Sequence, residues 1–104
     1  MVLVDFSIFY TGGSYGHANG CIDIAVPSGP GATINLAAIA PTPPPSFFSG
    51  QIRIESLLPI EGSGSACACA DVCVASEEEA CLLSKWLDQV PGLSVWPNDL
   101  DGSR

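Results

Sequence analysis

The sequence is poor in charged residues, and above all in positive ones. Charged residues make up 13% of the 104 positions, against roughly 25% in an average protein, and only three of them are Lys or Arg. Affinity for phosphate backbones comes mainly from clustered Lys and Arg, so we expect no nucleic-acid partner. Binding to an acidic membrane surface is disfavoured for the same reason.

The chain also lacks a long apolar run. No stretch approaches the roughly 18–20 consecutive apolar residues that a membrane span requires. The first residues, MVLVDFSIFYTGG, have no basic leader, and Asp5 interrupts their apolar run, so they do not resemble a secretory signal. We therefore expect no membrane segment and a cytoplasmic location.

The residues that usually perform metal or acid–base chemistry are few. His17 is the only histidine, so any proton transfer through imidazole must use it. Four cysteines lie close together in the sequence, at Cys67, Cys69, Cys73 and Cys81. Their C-x-C-x3-C-x7-C spacing lacks the C-x2-C pairs of common zinc sites, so we interpret them as small packed side chains. With Cys21 the chain has five cysteines, an odd number that argues against a complete disulfide framework. We predict no metal site, no cofactor and no catalytic residue.

Apolar residues and acids are abundant. Hydrophobic residues make up 47% of the chain, and eleven Asp and Glu give a net charge of −8. A chain of this length is expected to form a single domain, residues 1–104. A surface poor in charge predicts exposed apolar patches, which assembly into a homo-oligomer would cover. The acidity would attract a basic protein or a cationic small ligand.

The clearest local signals predict a helix from Ser76 to Val90. Ser76 precedes Glu79 by three residues, as in a capping box, and acidic residues occupy the first turn. Pro91 and Gly92 then end the helix. One apolar stripe has helical spacing and is predicted to pack on the core: Leu83, Trp86, Leu87 and Val90. Short strands are predicted on either side, at residues 71–74 and 93–96.

Alternating apolar residues predict four earlier strands, at 2–10, 21–26, 33–39 and 51–58. The second and third of these are expected to form a hairpin, and the proline-rich segment 40–50 a semi-rigid connector. Phe47 and Phe48 are expected to anchor that connector in the core. Residues 61–66 are predicted to form a flexible turn and residues 97–104 a loose acidic tail.

These elements together predict an α+β domain. Its mainly antiparallel sheet would contain about five to six strands, with the helix packed on one face. A small β-barrel wrapped around the helix is the alternative architecture.

The glycine-rich segment TGGSYGHANG, residues 11–20, is predicted to form a loop. Tyr15, His17 and Asn19 can form hydrogen bonds and are the candidate ligand-binding residues. No Gly-Lys-Ser/Thr sequence follows the glycines, so a phosphate-binding loop is disfavoured.

Two functions are compatible with these features. The first is a small, acidic, non-enzymatic interaction or assembly protein that self-associates or binds a basic protein, using its acidic C-terminal third. The second is a small-molecule-binding protein, with or without enzyme activity, whose pocket opens at loop 12–20. We favour the first, because acidity and low charge density belong to the whole chain, whereas the second depends on one loop.

Overall fold

The structure of the protein is a computed structural model that describes residues 2–60, 62 and 65–97. Within these residues lie seven strands and one α-helix: β1 (Val2–Tyr10), β2 (Gly13–Ile22), β3 (Thr33–Asn35), β4 (Gln51–Arg53), β5 (Ser56–Ile60), β6 (Ser65–Cys73), α1 (Glu77–Leu87) and β7 (Leu93–Pro97). Of the predicted tail at 97–104, only Pro97 is described, and it ends β7 instead of lying in a tail. Half of the predicted turn at 61–66 also lies outside the described residues. No helix in the described part of the chain is long and apolar enough to cross a membrane.

Five strands form one mixed sheet in the order β5-β6-β1-β2-β7. The β1 strand pairs parallel to β6, and the other three pairings are antiparallel. The predicted α+β fold is therefore confirmed. Strands β5 and β7 are edges of an open sheet, so the alternative of a closed barrel is wrong.

The α1 helix covers one face of this sheet. The Ser76 hydroxyl accepts the predicted capping hydrogen bond from the Glu79 amide at 3.2 Å, while the Glu79 carboxylate accepts from the Ala75 amide at 3.1 Å instead of from Ser76. The apolar stripe is buried, as predicted. It packs against the inward side chains of the central strands, among them Val2, Val4, Phe6, Ile8, Ala18, Ile22, Ala68, Ala70 and Val72.

Strands β3 and β4 form a second, antiparallel sheet whose Ile34 and Ile52 extend the same core. The proline-rich connector between them packs on the helix, where the Trp86 indole donates to the Thr42 carbonyl at 2.9 Å. The Phe48 ring meets the Trp86 ring edge-on, with centroids 5.6 Å apart. The predicted anchoring of the connector is confirmed.

Two predictions about strand order are wrong. The segment 11–20 is not a loop, because β2 begins at Gly13 and pairs with β1 along nine residues. The hairpin predicted for segments 21–26 and 33–39 is absent, since β3 pairs with β4. The β3 strand ends at Asn35, before the predicted end at residue 39. There the Asn35 side chain accepts a hydrogen bond from the Ala37 amide at 3.2 Å and starts a 3₁₀ turn.

Candidate functional site

The three predicted ligand-binding residues lie on β2 but do not converge. A bulge in the β1–β2 pairing leaves Tyr15 as the extra residue between Ser14 and Gly16, and its ring packs on the helix side. His17 and Asn19 pair with Ser7 and Asp5 and face the other way. The structure therefore divides the predicted site between the two faces of the sheet.

Tyr15 joins β2 to α1. Its hydroxyl lies 3.5 Å from the Ser84 hydroxyl, which itself donates to the Cys81 carbonyl at 2.9 Å. The hydrogen bond with Ser84 lowers the pKa of Tyr15, but burial and the neighbouring Cys81 and Glu77 outweigh it and raise the pKa. Tyr15 is therefore neutral at physiological pH and makes a packing contact in this position.

The sheet face opposite α1 is the principal candidate surface, because no helix of the described chain packs on it. We call it the uncovered face. Leu3, Leu58 and Trp96 are 39%, 55% and 54% exposed there. The other outward side chains of the five strands include Asp5, Ser7, Phe9, His17, Asn19, Cys21, Cys67, Cys69, Asp71 and Cys73.

Strand register brings polar side chains together at the centre of this face. Ser7 is paired with His17 on β2 and with Asp71 on β6. One step along β1, Asp5 is paired with Asn19 and Cys69. Both aspartates are exposed, and none of the five strands contains Lys or Arg. The centre of the uncovered face is therefore acidic.

Ser7, His17 and Asp71 have the residue types of a serine-hydrolase triad, but their order on the sheet is different. In a triad the histidine lies between the other two residues and hydrogen-bonds to both. Here Ser7 occupies the middle position, and no hydrogen bond joins the Ser7 and His17 side chains within the described chain. The three side chains therefore do not form a triad.

The sheet also divides the four clustered cysteines. Cys67, Cys69 and Cys73 lie on the uncovered face, whereas Cys81 lies on α1 beside Tyr15. The Cys67 and Cys69 sulfurs are 4.0 Å apart. Among the described residues, no group of three or more His, Cys, Asp or Glu side chains could hold a metal ion. All five cysteines are free.

Cys67 should be a slow nucleophile. Burial, the charge and hydrogen bond of Cys69, and the charge of Asp5 raise the pKa of Cys67 to about 11. At about pH 8, the thiolate fraction of Cys67 is about 200-fold lower than that of a free thiol with a pKa of about 8.5. A more basic thiolate is also a better nucleophile, which offsets part of the loss in reaction rate.

We expect iodoacetamide to alkylate Cys67 about 20-fold more slowly in the folded protein than in urea-unfolded chain. Mass spectrometry of quenched samples gives both rates, and equal rates would contradict the expectation.

Two hollows adjoin the centre of the uncovered face. A shallow one of about 170 Å³ is lined by Asp5, Ser7, Cys69, Glu55 and Asp71. A larger cleft of about 610 Å³ lies where β4 diverges from β6, and Glu55 and Asp71 line it as well. Sequence reasoning missed these residues as site candidates. The available signal was the outward parity of Asp5 and Ser7 on β1, but their partners depend on long-range pairing.

Comparison of the chain with protein-family models, with characterised proteins and with solved structures finds no match.

Proposed function

We propose that this protein is a small, non-enzymatic interaction module of the cytoplasm that binds a basic protein through its uncovered face. One observation carries the proposal: the face combines exposed apolar side chains with central carboxylates and has no Lys or Arg in its strands. Exposed apolar residues on one surface are typical of interfaces, and the acidic centre favours a cationic partner. The free cysteines support a reducing compartment.

The charge distribution favours a different protein over a second copy of this chain. Two copies packed face to face would bury Asp5 and Asp71 of each beside the same carboxylates of the other. Only His17 could add positive charge to such an interface. Lys or Arg side chains of another protein would instead pair with the carboxylates, so desolvating them costs less.

The proposed binding can be tested with a peptide of about 12 residues in which Lys alternates with Leu. As an extended strand, this peptide has one basic and one apolar side, and so mimics a strand of the partner. Trp96 is 54% exposed on the face and Trp86 only 4% exposed, so a change in fluorescence on binding reports mainly on Trp96. We expect saturable binding that weakens with salt. The double variant Asp5→Asn/Asp71→Asn should bind about tenfold more weakly, because both central charges are lost.

The matched control is Asp23→Asn/Asp88→Asn, which makes the same change in net charge at exposed positions outside the face. This variant should bind the peptide like the unsubstituted protein. Equal weakening by both double variants, or no binding by the unsubstituted protein, would contradict the proposal. A dimer in sedimentation that Asp5→Asn/Asp71→Asn strengthens would identify a second copy as the occupant and overturn the proposed partner class.

The alternative function, small-molecule binding at residues 12–20, loses the loop on which it was based, because those residues belong mostly to β2. The larger cavity lies on the other side of β1, between β4 and β6. Any small-molecule function is therefore better sought there.

A further inference from the structure

The cleft between β4 and β6 has the size of a small-molecule site. Its volume of about 610 Å³ lies within the roughly 300–1,000 Å³ that such sites occupy. Ile52, Ile54 and Val72, which are 3%, 1% and 7% exposed, belong to the core beneath the cleft and separate it from the rest of the interior. The half-buried Phe48 ring adds an aromatic wall. An apolar group of a ligand would therefore pack mainly against Phe48.

The cleft also holds one of the two cations of the described chain. Arg53 and Lys85 are these cations, and only Arg53 lines a cavity. The Arg53 guanidinium reaches the cleft rim, where its Nη2 atom would lie 3.9 Å from a Cβ atom added at Gly31. A guanidinium binds a carboxylate through two parallel hydrogen bonds, which an ammonium cannot do.

Carboxylates complete the polar part of the lining. The Glu55 amide donates to the Cys69 carbonyl at 2.9 Å, and the Glu55 carboxylate accepts from the Asp71 amide at 3.1 Å. These bonds fix Glu55 against β6 and hold its carboxylate beside Asp71. Arg53 and Glu55 are two residues apart, which in extended chain corresponds to roughly 6–7 Å between Cα atoms. Groups of opposite charge are thus presented to one ligand.

We propose that this cleft binds a free α-amino acid with an apolar side chain. Arg53 binds the carboxylate of the ligand, Glu55 and Asp71 bind its ammonium group, and its side chain packs against the Phe48 ring. The carboxylates disfavour phosphate-bearing ligands, and the guanidinium disfavours simple cations. Asp71 belongs to both proposed sites, but Arg53 and Glu55 lie outside the five strands of the uncovered face, so Arg53→Gln tests the cleft separately from the partner surface.

Calorimetric titration with L-leucine, N-acetyl-L-leucine and L-leucinamide tests the two charged contacts separately. We expect L-leucine to bind, and the acetylated and amidated compounds to bind at least about tenfold more weakly, because each lacks one charge. L-Leucine should also slow alkylation of Cys73, the exposed thiol that lines the cleft, while alkylation of Cys21 on β2 stays unchanged.

The variant Arg53→Gln should weaken L-leucine binding at least about tenfold. Lys85→Gln is its matched control, since Lys85 is exposed on α1 and outside the cleft, and it should bind like the unsubstituted protein. Unchanged thermal melting of both variants would show that the fold is intact. The proposal is overturned if L-leucine neither binds nor protects Cys73 at about 10 mM, a concentration that would nearly saturate a site with a Kd of about 1 mM. Equal binding of the amide, or Arg53→Gln binding like Lys85→Gln, would also overturn it.

Discussion

Replacing Leu87 with Ala should lower the free energy of unfolding by about 2–5 kcal/mol, the usual cost of emptying a fully buried leucine site. Leu87 is 0% exposed and lies in the core cluster that α1 shares with β1 and β2. The described chain has only this α-helix to cover the sheet, so neighbouring helices cannot move to fill the cavity. Urea denaturation followed by far-UV circular dichroism measures the loss.

Leu82 provides the matched control on the same helix. It is 49% exposed, so Leu82→Ala makes the same change in helix propensity without opening a cavity. We expect its effect to stay within about 0.5 kcal/mol. If the two variants lose similar stability, α1 does not pack on the sheet as described. The face opposite α1 could then no longer be identified as the uncovered one.

The helix could be predicted because its signals are local. The Ser76 cap, the first-turn glutamates and the apolar stripe all lie within fifteen residues of one another, and the structure keeps each of them. Strand β1 could be predicted for the same reason, since its alternation is visible within nine residues. Local periodicity depends on one face of one element, so it needs no knowledge of the partner.

Strand pairing could not be predicted in this way. The parallel pairing of β1 with β6 joins residues about sixty positions apart, such as Leu3 and Cys67. Nothing in either segment identifies the other, because apolar alternation is compatible with many registers and neighbours. Asp71 comes to lie beside Ser7 and His17 only when β6 pairs with β1. The spacing of these residues in the sequence therefore could not predict the centre of the uncovered face.

The glycines misled the prediction of β2. In isolation, Gly13, Gly16 and Gly20 favour a flexible loop, because glycine pays the largest entropy cost when ordered. In the fold Gly16 and Gly20 permit close approach of the chain around β7: a Cβ atom at Gly16 would collide with the Trp96 carbonyl, and one at Gly20 with the Gly92 carbonyl. Tertiary packing thus overrides local propensity, as is common for strands.

The same close packing predicts a large effect for Gly92→Ala. Residues 90–93 form a turn in which the Leu93 amide donates to the Val90 carbonyl at 3.0 Å, with Pro91 and Gly92 at its centre. Gly92 has a φ of +88°, as required at the third position of a type II turn. Its added Cβ atom would also overlap the Cys21 carbonyl of β2. Backbone strain and steric overlap therefore act together at this residue.

Gly62 separates these two costs, because its φ is +80° but, apart from its chain neighbours, no atom of the described residues lies within 4 Å of its added Cβ. Gly62→Ala should lower the free energy of unfolding by about 1–2 kcal/mol, the strain of a left-handed alanine. Gly92→Ala should exceed this loss by at least about 2 kcal/mol, because either β7 or β2 must shift to remove the overlap. Urea denaturation of both variants measures the difference. Similar losses would mean that β7 can shift at this turn at little cost. The pairing of β2 with β7 would then be too mobile to hold Trp96 beside His17 on the uncovered face.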